Sequence, residues 1–294
     1  MEAGSPVWRF SEKKLSGKEV SLNYAEGPVN GPPLLLLHGL ARDWRSFSVL
    51  LTELSRRYHV CSIDLRGHGR SGQRAGAYRT FQFASDIVEF INARFTGRVA
   101  MFGHSLGGMV AIETARSLPE KVSALVVGDT MITPENFQRS LYAALFQQLH
   151  ELLLQGGSQA EVAAGMGKIT LRVPGLDELV RIEELPGNTA AVLEEWARSA
   201  LLTDPSAISM TLDGSAFEDW DPEQILPRIS CPVLLLQGNH ELDGLLSDED
   251  VRLAMRLLPN AHHIKFPLLG HGLFMQQPRP VLNAVMGFLA KVGS

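Results

Sequence analysis

Between Leu34 and Val127 the chain alternates short apolar runs with longer amphipathic stretches. Leu34-Leu35-Leu36-Leu37 is apolar at every position, the pattern of a strand buried on both faces of a sheet. Apolar runs at 58–65, 98–102 and 122–127 predict three more strands. Helical periodicity fills the intervals at 44–57, 80–95 (with Thr80 as N-cap) and 106–118. Strand and helix in strict alternation predict βαβ units: an α/β fold with a mostly parallel central sheet flanked by helices. Ahead of this block, 6–15 and 18–26 form two strands hinged at Ser16-Gly17. Val20, Leu22 and Tyr24 alternate with polar residues, so this pair is expected as an antiparallel edge hairpin with one wet face. The strand–helix pattern resumes with strands at 232–237 and 262–266 and helices at 248–258 and 280–291.

The stretch in between is different. From Pro134 to Trp220 there are helical segments and no convincing buried strand. Phe137, Leu141, Leu145, Leu149 and Leu152 recur at helical spacing, and further helical pieces are expected at 158–167, 176–185 and 188–202. Gly156-Gly157, Pro174-Gly175 and Pro186-Gly187 separate them. The segment is too apolar to be a disordered linker. The predicted organisation is a core from 1–133 and 221–294, with 134–220 inserted as a helical cap.

One strand end carries chemistry. Gly103-His104-Ser105-Leu106-Gly107 lies between the strand at 98–102 and the helix at 106–118. It fits the G-x-S-x-G turn, in which a serine sits at the apex with strained backbone angles and an exposed hydroxyl. A Cβ in place of the flanking glycines would collide with the neighbouring strand or helix. An unactivated serine is a poor nucleophile and needs a base oriented by a carboxylate. His271, in Leu268-Leu269-Gly270-His271-Gly272, follows a strand end, where parallel α/β sheets build their sites. His262 and His263 fall inside a predicted strand, so His271 is the candidate base. An oxyanion hole needs two N–H groups aimed where charge develops. Leu106, after the nucleophile, and Leu40, in the loop His38-Gly39-Leu40, are the candidates. His38 is expected to hold that loop, and His104 to be structural. Asp64, Arg66 and His68 are expected to bond to each other and to the backbone beneath the site.

Composition narrows the partners. The 294 residues are 45% hydrophobic and 20% charged, with a net charge of −5 and no basic block, which argues against nucleic acid. The longest apolar runs are far too short to span a bilayer, and Met1–Arg9 lacks the features of a secretory signal, so a cytoplasmic protein without a membrane partner is expected. Cys61 and Cys231 are expected as buried free thiols, with no zinc site, and no metal or dinucleotide cofactor is indicated. Nothing bears on oligomeric state. The partner expected is a small-molecule substrate.

His38-Gly39, Asp64-x-Arg66-Gly67-His68-Gly69-x-Ser71, Gly103-His104-Ser105-Leu106-Gly107-Gly108 and Gly270-His271-Gly272 together resemble the α/β-hydrolase superfamily, lidded esterase and lactonase type. The resemblance covers 18–130 and 228–291 and implies a Ser–acid–His triad. One position departs from the family pattern: the acid loop reads Gly238-Asn239-His240-Glu241-Leu242-Asp243-Gly244, with Glu241 at the usual aspartate's place. Some family members carry the acid instead at the end of the preceding strand, here Asp129. Asp129 is taken first, with Glu241 and then Asp243 behind it. Trp196, Met210 and Phe217 are the candidate pocket residues of the cap. The implied function is cofactor-free serine hydrolysis of a small, fairly apolar ester or lactone. The alternatives are a carbon–carbon bond hydrolase, which would need an arginine for a dienoate carboxylate (Arg66, Arg139 and Arg172 being candidates), and a catalytically silent receptor.

Overall fold

A computed structural model describes residues 10–173, 178–185 and 187–292. The first half of the chain runs β1 (Ser11–Ser16), β2 (Ser21–Glu26), β3 (Pro33–Leu37), α1 (Ser48–Leu54), β4 (His59–Ile63), α2 (Thr80–Arg94), β5 (Val99–His104), α3 (Leu106–Ser117) and β6 (Val122–Gly128). The segment after β6 contributes α4 (Leu141–Gln155), α5 (Gln159–Gly167), β7 (Thr170–Leu171), β8 (Val180–Arg181), α6 (Ala190–Leu201) and α7 (Pro205–Leu212). The chain closes with α8 (Pro222–Ile225), β9 (Val233–Gly238), α9 (Asp248–Leu257), β10 (Ala261–Phe266) and α10 (Pro278–Val292).

Eight strands form one sheet in the spatial order β1-β2-β4-β3-β5-β6-β9-β10. Only β1–β2 and β2–β4 pair antiparallel; every other pair is parallel. Helices cover both faces, so the central strands are buried throughout: Leu34, Leu35, Leu36 and Leu37 are 0% exposed. That is why their sequence shows no alternation. The register sets the site. Leu37 lies opposite Gly103, His104 opposite Gly128, and Gly128 opposite Leu236. The loops that leave β3, β5, β6 and β9 therefore emerge side by side at one edge.

Several local expectations change. The expected antiparallel hairpin at the sheet edge is β1–β2, but β2 has no wet face. It is sandwiched between β1 and β4, and Leu22–Glu26 are all buried. The predicted helix at 44–57 is a single 3₁₀ turn (Trp44–Phe47) followed by the short α1. Arg79, not Thr80, occupies the N-cap of α2. Thr80 is the first helical residue and its Oγ1 donates to Ala216 O at 3.1 Å. The helix expected at 176–185 is, where described, a two-residue strand, β8, paired antiparallel with β7, followed by a 3₁₀ turn at Ile182–Glu184. Pro174, Gly175 and Pro186 lie outside the described residues, as do residues 6–9 of the strand expected at 6–15.

The helices between β6 and β9 pack on one another, α4 on α5 and α7, and α5 on α6. Polar contacts tie them to the sheet-bearing part. Tyr78 Oη donates to Asp204 Oδ2 at 2.6 Å, Asp204 N to Gly67 O at 2.7 Å, and Trp220 Nε1 to Ile132 O at 2.8 Å. Arg79 pairs with Glu218 and Asp219.

Candidate active site

Ser105 is half-buried, the one residue between Val99 and Ala115 that is not fully buried. Its φ of 55° and ψ of −124° are forbidding for a residue with a Cβ. Such strain costs roughly 1–3 kcal/mol and persists only where the surroundings over-determine it. They do so here. Ser105 N donates to Gly128 O at 3.0 Å and Thr130 Oγ1 donates to Ser105 O at 2.9 Å. A Cβ added to Gly103 would meet Gly107 O at 2.1 Å, and one on Gly107 would meet Leu37 O at 2.1 Å, so the turn is closed to larger residues. At Gly39 the same atom would come within 3.1 Å of Ser105 Cβ, which shows how closely the β3 loop approaches the serine.

Asp129 follows β6 and also has positive φ, 41°. Its carboxylate is fully buried and accepts from Gly238 N at 2.8 Å, Leu245 N at 2.6 Å and Leu246 N at 3.3 Å. His271 Nδ1 donates to Asp129 Oδ2 at 2.7 Å. Burial alone would raise the pKa of Asp129. The hydrogen bond and charge of His271, with the Leu245 and Gly238 N–H groups, outweigh it and hold the carboxyl below its ordinary range. With Nδ1 protonated against a carboxylate, Nε2 of His271 is left as the basic nitrogen.

Glu241 is exposed, and its backbone N donates to Asn239 Oδ1 at 3.1 Å. Asp243 touches His271 differently from Asp129: its Oδ1 accepts the His271 backbone N–H at 2.7 Å. It positions the loop rather than the ring. Tyr142 of α4 lies on the His271 ring, centroids 4.6 Å apart, and hydrogen-bonds Asp243.

His104 Nε2 donates to His271 O at 2.8 Å. Burial, then the charge of His271, push His104 down to about 3, so it is neutral at ordinary pH. His38 Nδ1 donates to Gly39 O at 2.8 Å and its Nε2 accepts from Leu65 N at 3.0 Å, joining two loops at the sheet edge. Asp64 and Arg66 do not pair with each other. Asp64 accepts from Asn23 Nδ2, Trp44 N and Arg70 N, while Arg66 is held by both oxygens of Asp86 at 2.6 Å.

A small apolar cavity adjoins the serine, lined by Leu40, Leu106, Met109, Phe137, Phe146 and Phe217 among others. At about 20 Å³ it holds no more than about one water, so a substrate must displace side chains to enter. Phe217 lines it; Trp196 and Met210 do not. Trp196 instead carries the Arg42 guanidinium over its ring at 4.2 Å, and Met210 packs against the core at the far end of α7. A larger surface hollow, about 580 Å³, lies between the β1–β2 hairpin and α2, lined by Ser16, Lys18, Asp86 and Glu89 among others, and none of the candidate site residues reaches it. Arg139 and Arg172 are exposed.

Among the described residues, one group could present three metal-binding atoms together: Glu26, His59 and Cys61 on β2 and β4. The sequence holds the signal, since His59 and Cys61 are alternate residues that share a strand face. The group already has its own cations, however. Glu26 pairs with Lys13 at 2.5 Å and Arg94 at 2.6 Å, and burial pushes the Cys61 thiol up to about 12. Both cysteines are free and buried. No helix among the described residues is long and apolar enough to cross a membrane.

A serine on a strained turn and a histidine whose tautomer is set by a buried carboxylate are the residue types that nucleophilic hydrolysis uses. Comparison with known proteins places the chain among hydrolases. The model of the alpha/beta hydrolase family matches residues 34–284. A pimeloyl-[acyl-carrier protein] methyl ester esterase of Nitrosomonas europaea is 27% identical over 263 residues, covering 88% of this chain and 96% of its own. A 2-(acetamidomethylene)succinate hydrolase of Mesorhizobium japonicum is 25% identical over 285 residues, covering 95% of each chain. A crystal structure of E-2-(acetamidomethylene)succinate hydrolase superposes with a TM-score of 0.75 at 23% identity, covering 96% of this chain and 100% of the other.

Proposed function

The chain belongs to the alpha/beta hydrolase family, and on that premise we propose that it is a serine hydrolase cleaving a small, fairly apolar carboxylic ester or lactone through an acyl-enzyme on Ser105. The observation that carries this reading is the 2.7 Å bond from His271 to the buried Asp129, with Ser105 held at positive φ beside an apolar cavity. His271 Nε2 takes the Ser105 proton as Oγ attacks the carbonyl carbon. The carbonyl oxygen becomes an oxyanion facing the N–H groups of Leu40 and Leu106. The imidazolium, stabilised by Asp129, gives its proton to the leaving alkoxide as the carbon–oxygen bond breaks. His271 then activates a water that attacks the acyl-enzyme, releasing the acid and restoring the serine. A lactone would yield a single hydroxy acid.

The helices from 134 to 220 act in this reading as a cap, with Phe217, Phe137 and Phe146 bounding the acyl pocket. Methyl ester hydrolysis by the Nitrosomonas relative supports an ester as substrate. The test is a panel of p-nitrophenyl esters of increasing chain length beside several lactones and a dienoate ketone. Turnover of an ester or lactone that disappears in Ser105→Ala supports the proposal; turnover of the dienoate ketone alone overturns it.

A further inference from the structure

Arg42 lies two residues beyond Leu40, on the loop leaving β3. Its guanidinium carbon lies over the ring of Trp196 of α6, 4.2 Å from the centroid. Among the described residues it has no hydrogen-bond acceptor and no carboxylate at ion-pair distance. The two acids whose charge reaches it, Asp43 and Glu195, are both engaged by Arg198, at 2.7 Å and 2.6 Å, and Asp43 also faces Arg45 at 3.5 Å. A guanidinium carries five donors and is costly to remove from water without an anion. Burial pushes Arg42 down to about 10, its neighbours offsetting only part of that penalty. The group beneath it is also unmet: Trp196 is 8% exposed and its Nε1 is buried with no partner. Arg42 is half-buried on the loop whose Leu40, two residues earlier, lines the cavity at Ser105. The Arg42 charge is felt at His104 and at Tyr142, whose ring lies on His271.

We propose that Arg42 and Trp196 form an anion pocket at the rim of the active site, and that the substrate carries a carboxylate held there while its ester carbonyl meets Ser105. This rests on the acyl-transfer reading of Ser105 and narrows it to half-esters of dicarboxylic acids and their like. With its carbon 4.2 Å from the Trp196 ring centroid and no carboxylate among the described residues paired to it, the Arg42 guanidinium offers a planar fork of donors that matches a bidentate carboxylate.

Binding to the Ser105→Ala protein tests this without turnover. Monoethyl glutarate, diethyl glutarate and ethyl phosphate are titrated by calorimetry against this protein and against the same protein carrying Arg42→Gln, Arg42→Lys or Trp196→Phe. The half-ester is expected to bind at least about tenfold tighter than the diester. Arg42→Gln should bring the two within about twofold, Arg42→Lys should restore part of the difference, and Trp196→Phe, which keeps the ring and removes the N–H, should lose part of it. In the active enzyme, Arg42→Gln should lower the half-ester to diester ratio of kcat/KM chiefly through KM. Equal binding of half-ester and diester, a preference that survives Arg42→Gln, or tighter binding of ethyl phosphate overturns the proposal. Arg42-dependent binding without turnover of either ester would count against the hydrolase reading and leave the anion pocket standing.

Discussion

His271 Nδ1 and Asp129 Oδ2 stand 2.7 Å apart although 142 positions separate the two residues. Nothing local brings them together; the sheet does. Asp129 leaves β6 beside the end of β9, whose Gly238 N–H it accepts, and β9 pairs with β10, which feeds the His271 loop. Asp129→Asn would keep the shape of the carboxylate while losing the charge that stabilises an imidazolium and one of the acceptors that orients it. kcat for the best ester is expected to fall about 10³–10⁴-fold. Glu241→Gln, on an exposed side chain, should stay within about twofold. The reverse pattern in steady-state kinetics would move the acid to Glu241.

How much of this was legible in the sequence differs by residue. The turn around Ser105 shows because glycines are required at fixed offsets from a serine, and His271 shows because few histidines follow a late strand. The choice among Asp129, Glu241 and Asp243 does not show, since it depends on strand register and on a loop in which Asp243 itself takes positive φ, 89°. The pocket was less legible still. Phe217 and Trp196 are both buried aromatics of the helical segment, and only the directions of their side chains separate a cavity wall from the support for Arg42. Arg42 sits next to an acid in sequence, which hides that Asp43 pairs elsewhere. The β1–β2 hairpin reads correctly as an edge pair, but the alternation in β2 does not show that its polar face is buried too, between β1, β4 and the helices.

Acid should destabilise the protein through His104. The folded group titrates at about 3 against an ordinary value of 6.5. Between those values the unfolded chain binds the proton and the folded chain does not, so stability falls as pH falls through that window, by up to about 1.4 kcal/mol per pH unit. Asp129, held below its usual range, adds a loss of the same sign further down, below the ordinary carboxylate value. Urea unfolding of the native protein and His104→Asn at pH 7 and pH 5 checks this. The variant should be less stable at pH 7 and lose less on acidification; an equal loss in both would show that His104 is not the buried neutral group described.

Gly270 is the hinge on which the His271 loop depends. An added Cβ would stand 1.7 Å from Asp243 Oδ1 and 2.2 Å from Leu242 O, so Gly270→Ala must push Asp243 off the His271 N–H. The expected result is a folded protein, less stable by about 1–3 kcal/mol, with kcat reduced more than KM is raised. Thermal unfolding and initial rates on one ester measure both effects.

Chain-length preference should follow Phe217. Truncation to alanine enlarges a cavity that now accommodates about one water and should cost about 3–5 kcal/mol of stability. The preferred p-nitrophenyl ester should move to a longer acyl chain. An unchanged profile would place the acyl group elsewhere.

The central claim is that Ser105 is a nucleophile activated by His271. Intact-mass measurement after brief exposure to a fluorophosphonate tests it most directly, because the reagent needs an activated serine and an oxyanion site but no knowledge of the substrate. The account predicts a single adduct that peptide mapping assigns to Ser105, absent in Ser105→Ala and strongly slowed in His271→Ala. An unlabelled native protein, or an adduct that persists in Ser105→Ala, would contradict it.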